Sequence, residues 1–556
     1  MKHFYALPSA QWGAYQETLD GWFEKSEKLK LIPRLWQRDA LLWSKNPASQ
    51  KEIKSRLGWL SVPRMMKAHV NKLQAFQGEV NEAGFKHAVL LGMGGSSLAP
   101  EVLQNVLGNS AGFPELLILD STDPGRVKDV EARLDLTKTL FIVSSKSGGT
   151  IELVSFFKYF YDRVKSVRPD NPGGVFIAIT DPGTALEALA KEHQFWKTFL
   201  APEDVGGRFS ALTVFGMVPA CVMGADVAKI LNGAERMMVE CSMEVPLEEN
   251  AAMALGLGMA VLAEEGRDKL TLLTSGLMVS FGDWAEQLIA ESTGKDGSGI
   301  LPVVREGLQP SESYGTDRFF VDLALETEPK TNASGIQSLV LAGHPVLSIS
   351  LKTPYDLGAE FFRWEMATAI ACALLKVNAF DQPDVQAAKE SAKKFLEHSK
   401  SGGQAQVLAS DMTLETFWEN AEPGDYVAIL AFLPDRESTR QRLLKLRDTI
   451  RQRTKLASTL GFGPRYLHST GQLHKGGPSK AIFILITSPP SEDLPVPGEN
   501  YSFAELELAQ SMGELEALQN KARWVIHLRL SELSEPALDE TCSRIESAIQ
   551  TPVADA

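Results

Sequence analysis

The chain has 556 residues, with 56 Lys and Arg against 70 Asp and Glu, a formal charge of −14. That acidity argues against a nucleic-acid scaffold, which needs a positive surface to displace counterions from phosphates. Hydrophobic residues at 44% and charged residues at 23% are globular proportions, and the length suits several domains. The longest nearly uncharged apolar run, residues 251–263, falls short of the roughly 20 residues that cross a bilayer. Met1-Lys-His-Phe-Tyr5 leads into polar Ser9, Gln11 and Gln16 with no apolar h-region, so the expectation is a cytoplasmic protein with no membrane and no nucleic-acid partner. Cys221, Cys241, Cys372 and Cys542 are widely spaced without a Cys-x-x-Cys pair, which predicts small buried hydrophobes in a reducing compartment and no metal site.

From residue 14 to about 85, Trp22, Leu29, Leu31, Leu35, Trp36, Leu41, Leu42 and Trp43 recur as amphipathic helical faces. Residues 1–85 therefore read as a helical segment packing on the core. Short apolar runs follow at 88–92, 116–120, 140–144 and 175–179, the first three ending in Gly, Asp and Ser, and each leads into a helix-like stretch. That alternation predicts a parallel, doubly wound α/β sheet in a first domain, 86–265, whose last part (211–265) is helical. The same grammar returns at Lys269 to Ser275, Phe319 to Leu323 and Leu339 to Ser350 in a second domain, 266–398, closed by a helix opening at Pro354 and Gly358. Ser399-Lys-Ser-Gly-Gly-Gln404 reads as a polar, flexible boundary. Beyond it, apolar runs at 426–432, 481–486 and 524–528 alternate with helices at 438–455 and 501–519, predicting a small α/β domain over 405–556. The basic helix there (Arg436, Arg440, Arg442, Lys445, Arg447, Arg451, Arg453, Lys455) is diluted by Asp435, Glu437 and Asp448, and a solvated face is favoured over an anion-binding one.

Gly92-Met-Gly-Gly-Ser-Ser97 follows a strand and precedes a helix, where glycines let backbone N–H groups approach an anion. It has neither the G-x-G-x-x-G spacing nor a Walker Gly-Lys-Ser/Thr, so nucleotide binding is disfavoured. Ser144-Ser-Lys-Ser-Gly-Gly-Thr150 offers three hydroxyls after the strand residue, one Lys and two glycines, a phosphate cradle by composition. Both loops fall at carboxyl ends of strands in one sheet, where open α/β sheets hold ligands. Gly206-Gly-Arg-Phe-Ser210 sets Arg208 where a guanidinium can face an oxyanion, and Glu291, before Ser-Thr-Gly-Lys295, is placed to act as a base. Each also has a plain structural reading: a packed turn, a surface ion pair, a helix-terminal Glu paired with Lys295.

Taken in order with Val377-Asn-Ala-Phe-Asp-Gln382 and Lys389, these five motifs over about 30–395 resemble the glucose-6-phosphate isomerases, which have two sugar-isomerase (SIS) domains. Leu35-Trp36, Gly58-Trp-Leu60 and the tail Tyr466-Leu-His-Ser-Thr-Gly-Gln-Leu-His-Lys-Gly-Gly477 resemble more narrowly the isomerase half of bacterial fused transaldolase/glucose-6-phosphate isomerases, without the transaldolase half. The resemblance implies two doubly wound SIS domains between a helical N-terminal segment and a small C-terminal α/β domain. It implies interconversion of D-glucose 6-phosphate and D-fructose 6-phosphate through a cis-enediol, with no cofactor and no metal. Ser96, Ser145, Lys146, Ser147 and Thr150 would hold the phosphate, with Gln382 nearby. Glu291 would be the base, Arg208 the oxyanion partner, and Lys389 the Lys assisting at the ring oxygen or O1. The implied partner is a small sugar phosphate, and a homodimer is compatible with the family.

The chain departs from the family pattern in one place. Most relatives carry a ring-opening His after the base, whereas the aligned segment Tyr314-Gly-Thr-Asp-Arg-Phe-Phe320 puts Asp317 there. Asp317, His468 and His474 are the candidates for that role, and His344 reads as structural. A sister isomerase acting on another anionic sugar such as mannose 6-phosphate, or a SIS-type sensor, remain alternatives; retention of Glu291, Arg208 and Lys389 argues against the sensor.

Overall fold

The computed structural model describes residues 3–274, 276–329, 332–400 and 413–549. The N-terminal segment opens on a short strand, β1 (Ser9–Gln11), and continues as helices from Gln16–Lys28 to Val70–Ala83. A parallel sheet follows, with β2 (His87–Leu91), β3 (Glu115–Leu119), β4 (Thr139–Ser144), β5 (Phe176–Thr180) and β6 (Lys197–Leu200) in the order β3-β2-β4-β5-β6. Its inner strands are unbroken apolar runs because helices cover both faces. The chain lays β3 on one side of β2 and then crosses back to put β4 on the other. The winding therefore reverses between β2 and β4, and a crevice opens at their carboxyl ends.

The second sheet holds β7 (Lys269–Thr274), β8 (Leu301–Val303), β9 (Arg318–Leu325) and β10 (Val346–Leu351) in parallel, order β10-β9-β7-β8. β1 adds to it antiparallel along β10, so the N-terminal segment is not purely helical. The stretch from Leu339 to Ser350 also differs from expectation, since Ala333–Leu341 is a helix and only β10 is strand; Ser275, expected to end β7, lies outside the described residues. A third sheet, all parallel, has β11 (Tyr426–Phe432), β12 (Ala457–Phe462), β13 (Ala481–Thr487) and β14 (Trp524–Arg529) in the order β12-β11-β13-β14. β12 is one strand more than the apolar runs suggest.

Six helices place the chemistry: α1 (Ile151–Val167), α2 (Val279–Thr293), α3 (Leu357–Leu375), α4 (Val385–Lys400), α5 (Glu437–Thr454) and α6 (Phe503–Asn520). α4 runs through Lys400, and the rest of the expected flexible boundary, 401–404, lies outside the described residues, as does the start of the third unit at 405–412. A capping box of Ser502 with Glu505 starts α6. α6 is pinned to α1 by the Phe503 ring, stacked on Phe156 at 5.9 Å and edge-on to Tyr159 at 5.7 Å. It crosses α4 backbone to backbone at Gly513, where a Cβ would lie 2.6 Å from the Ala392 nitrogen. On its other side the third sheet shares a core with the second, Tyr426, Ala428 and Leu430 packing with Ala290, Leu301 and Val303. The C-terminal unit thus touches both preceding sheets.

The basic helix α5 differs from a simple solvated face. Arg447 and Arg451 are buried; Arg447 donates to the Ser458 and Val304 carbonyls, and Arg451 joins Arg318 against Glu306, at 3.4 and 3.1 Å. Arg442 pairs outward with Asp539 and Glu546 at 2.6 and 2.9 Å. These three arginines hold neighbouring elements together.

Candidate active site

The loops after β2, β4 and β6 and the helix after β7 converge on one cleft of about 460 Å³. The loop after β2 meets the Arg208 loop so closely that a Cβ on Gly95 would lie 2.3 Å from the Gly207 carbonyl oxygen, which only glycine tolerates. In the loop after β4, the Ser145 hydroxyl accepts from the Gly148 amide at 3.1 Å and meets Thr150 Oγ1 at 3.2 Å, so Ser145 also shapes the turn it belongs to. Ser147 is exposed and Ser96 buried, both on the cleft wall. Lys146 is ion-paired with Asp181, whose carboxyl burial pushes up despite that partner.

Arg208 is the most constrained group in the cleft. Its Nε donates to Ser292 Oγ at 2.9 Å and the Ala379 carbonyl at 3.2 Å, Nη2 to the carbonyls of Ala379 and Asp381 at 2.6 and 2.9 Å, and Nη1 to Gln382 Oε1 at 3.1 Å. Nη1 also stands 3.0 Å from Glu291 Oε1. The next residue, Phe209, fixes the loop between Trp59 and Phe380, with ring centroids 5.2 Å away on each side. Such pairs add about 0.5–1.5 kcal/mol beyond burial.

Glu291 sits in the last turn of α2. One turn earlier, Gln287 Nε2 donates to Glu291 Oε2 at 3.1 Å and to the His468 carbonyl at 2.8 Å, while Gln287 Oε1 is buried without a partner among the described residues. Lys295 does not pair with the Glu291 carboxylate, as the plain structural reading had it; it donates to the Glu291 and Asp381 carbonyls at 3.0 and 2.8 Å. Burial, then repulsion from Arg208, brings its pKa down to about 8.

The three ring-opening candidates separate. His468, on the C-terminal unit, reaches the cleft, its Nε2 2.9 Å from Glu152 Oε1. Burial alone would raise the Glu152 carboxyl, but His468 beside it holds it below the usual range. His474 does not reach the cleft: it is buried against the third sheet with Nδ1 3.0 Å from the Tyr426 hydroxyl, and burial, then Lys475 and Arg523, push its pKa well down. Asp317 is not there either. It precedes β9, at the amino ends of the strands, and pairs with Lys269 at 3.4 Å, whereas the cleft opens at carboxyl ends. Lys389, exposed on α4, lines a second chamber of about 350 Å³ that shares Ser147, Thr150 and His468 with the cleft. The cleft therefore gathers Ser96, Ser145, Lys146, Ser147, Thr150, Arg208, Glu291, Gln382 and His468. Glu152 and Gln287 escape the motif reading, although Gln287 could be found at the helical i−4 spacing from Glu291.

Such an arrangement offers hydroxyls and glycine amides for a dianion, a carboxylate for proton abstraction and a fixed guanidinium for negative charge developing beside it. Residues 58–299 match the family described as Phosphoglucose isomerase. The chain is 30% identical over 390 residues to a probable glucose-6-phosphate isomerase of Methanococcus maripaludis, covering 63% of this chain and 86% of that one. In fold it is similar to a hypothetical protein of Thermus thermophilus, with TM-score 0.59 and 24% identity over 71% of this chain and all of that one. It is also similar to a glucose-6-phosphate isomerase of Chlamydia trachomatis, with TM-score 0.54 and 19% identity over 69% and 86% of the two chains. The motifs, the cleft they form and the extent of these matches lead to one conclusion: the chain belongs to the phosphoglucose isomerase family.

Proposed function

We propose that the protein interconverts D-glucose 6-phosphate and D-fructose 6-phosphate as a cytoplasmic aldose–ketose isomerase. The observation that carries this reading is the Glu291 carboxylate paired with Arg208 at 3.0 Å in the same cleft as the hydroxyl-rich loop after β4. A phosphate held by Ser96, Ser145, Ser147 and Thr150, with Lys146 supplying charge, fixes the reacting carbons, and its binding energy is used at the distant bond. Glu291 takes the proton from C2 of the open-chain aldose as the C1 carbonyl gains its electrons; the O2 hydroxyl proton passes to O1 within the enediol, and Glu291 returns its own proton to C1 as the C2 carbonyl forms. Arg208, with Gln382 beside it, stabilises the enediol oxygens.

Ring opening falls to His468, with Glu152 behind it, moving a proton between the ring oxygen and O1; Lys389 approaches from the adjoining chamber. The tail resembling fused transaldolase/isomerases is, in this reading, the segment that brings the His, and the chain is akin to the isomerase half of those proteins. We divide it into a helical segment 1–85, sheet domains 86–265 and 266–398, and a C-terminal domain 405–556 that is part of the catalytic apparatus. Among the described residues no helix is long and apolar enough to cross a membrane, and the four cysteines are buried and free, which suits a reducing compartment.

The test is conversion of fructose 6-phosphate to glucose 6-phosphate, read with a coupled dehydrogenase in EDTA, beside a Glu291→Gln control. Turnover that survives EDTA and collapses in the control is expected. Binding of the sugar phosphate without turnover would overturn the proposal in favour of a sensor or an isomerase of another anionic sugar.

A further inference from the structure

The hydrogen bonds behind His468 continue past Glu152. Glu152 Oε1 meets two groups, His468 Nε2 at 2.9 Å and Gln510 Nε2 at 2.7 Å, and Gln510 Oε1 accepts from the Thr122 hydroxyl at 2.9 Å. All three polar residues behind the His are buried. An ionised carboxylate only accepts, so the Gln510 NH₂ must face Glu152 and its oxygen must face Thr122, which leaves Thr122 to donate. The chain Thr122–Gln510–Glu152–His468 therefore has one internally consistent direction. It joins the loop after β3, the middle of α6, the first turn of α1 and the segment after β12.

The main chain of His468 is held separately, through its carbonyl, by Gln287. What that bond does not fix is the imidazole rotation, a soft two-fold torsion. Glu152 sets it, and a buried carboxylate keeps one rotamer only if its own lone pairs are engaged. Gln510 is the neutral donor that engages them, and it reaches Glu152 from a different unit of the fold.

We propose that Gln510 is a positioning residue for ring opening: its amide, oriented by Thr122, holds the Glu152 carboxylate so that His468 faces the sugar ring. The proposal rests on the reading of His468 as the ring-opening group. It gives the C-terminal unit two contributions, one in the cleft and one behind it. Gln510 itself touches no substrate and acts through Glu152.

The test is a double-mutant cycle on the full chain with Gln510→Met, which keeps length and loses the donor, and Glu152→Gln. Turnover is measured with glucose 6-phosphate and with its C2-deuterated form. Gln510→Met is expected to lower kcat about tenfold or more, the scale on which small misplacements act, with KM changed less than about twofold. The C2 isotope effect should shrink as ring opening becomes slower than C–H cleavage. In the Glu152→Gln background the same change should cost almost nothing further. Equal losses in both backgrounds, or a loss with the isotope effect intact, would overturn the positioning role. If Gln510→Met does not fold, Thr122→Val replaces it, with a smaller loss in the same direction expected and unchanged kinetics counting against the proposal. A wild-type chain without turnover would instead sink the isomerase reading, and an active His468→Ala variant would sink the ring-opening role, so the three failures are distinguishable.

Discussion

Arg208 and Glu291 stand 3.0 Å apart with the guanidinium already bonded to Ser292, Ala379, Asp381 and Gln382. The Arg cannot swing toward substrate without breaking several of those bonds, so it acts as a fixed positive wall against which the carboxylate is aimed. Both side chains are largely buried, at 4% and 13% exposure, and removing one charge of such a pair typically costs about 3–5 kcal/mol of stability. Variants at this pair must therefore be read for folding and for chemistry together.

Glu291→Gln preserves shape and removes the base. We expect kcat to fall by at least about 10²-fold, the lower range for loss of acid–base catalysis, with KM nearly unchanged. Steady-state kinetics on protein whose folded fraction is checked by circular dichroism would measure it; near-normal turnover would take Glu291 out of the base role.

The histidines give opposite signatures. His468→Ala should lower turnover of the cyclic substrate about tenfold or more, a loss of kcat in the folded protein that comes on top of any fall in melting temperature from the unpaired, buried Glu152 carboxylate. His474→Ala should lower the melting temperature, since it empties a buried site and orphans the Tyr426 hydroxyl, while the kcat of the folded protein stays within about threefold. Asp317→Asn should behave like His474→Ala. A kinetic defect confined to Asp317→Asn would reverse the assignment.

Gly513 is not among the residues lining the cleft, yet it sets how closely α4 can approach α6. A methyl group there would lie 2.6 Å from the Ala392 nitrogen, so Gly513→Ala must push α4, and Lys389 with it, away from α6. The expected result is a loss of turnover of roughly tenfold to a hundredfold, as misplacements of about 1 Å produce, together with a lower melting temperature. A variant with full activity would mean that Lys389 has no part in catalysis.

Glu286, on α2 where the second sheet meets Arg447 and Arg465, has its pKa pushed up to about 8 by burial and then by Asp283. The folded chain thus holds this proton more tightly than the unfolded one, whose Glu titrates near 4.5. Its contribution is fully present below about pH 4.5 and is lost as the pH rises through about 8. Glu286→Gln should therefore melt with wild type near pH 5 and above it at pH 8.5. Parallel melting curves across that range would show that the carboxyl is not held neutral.

Strands covered by helices on both faces carry no polar alternation, which is why the α/β class could be read from runs such as 140–144. β12 escaped because Ser458, Thr459 and Gly461 interrupt its run; the Ser458 main chain is satisfied by buried Arg447, a partner the local sequence does not reveal. The cleft loops were legible for a related reason: Gly, Ser and Lys after an apolar run have few other uses. Glu152 was not, although it lies two residues beyond Thr150, because an acid in the first turn of a helix is ordinary and only its burial under α6 sets it apart. Asp317 misled by matching a motif position while standing at the wrong end of its strand. His474, six residues beyond His468, was directed inward by the short helix Gly471–Gly476.

The segment carrying His468 is made by the ribosome long after the rest of the cleft. The loops after β2, β4 and β6 and the helix bearing Glu291 all precede it in the chain. A nascent chain released before that segment contains the phosphate loops, Arg208 and Glu291, yet lacks the cover that Ala290, Leu301 and Val303 find on the third sheet. In such a chain the binding residues exist before the unit that packs beside them, and in the reading proposed above that unit, made last, then adds the ring-opening His.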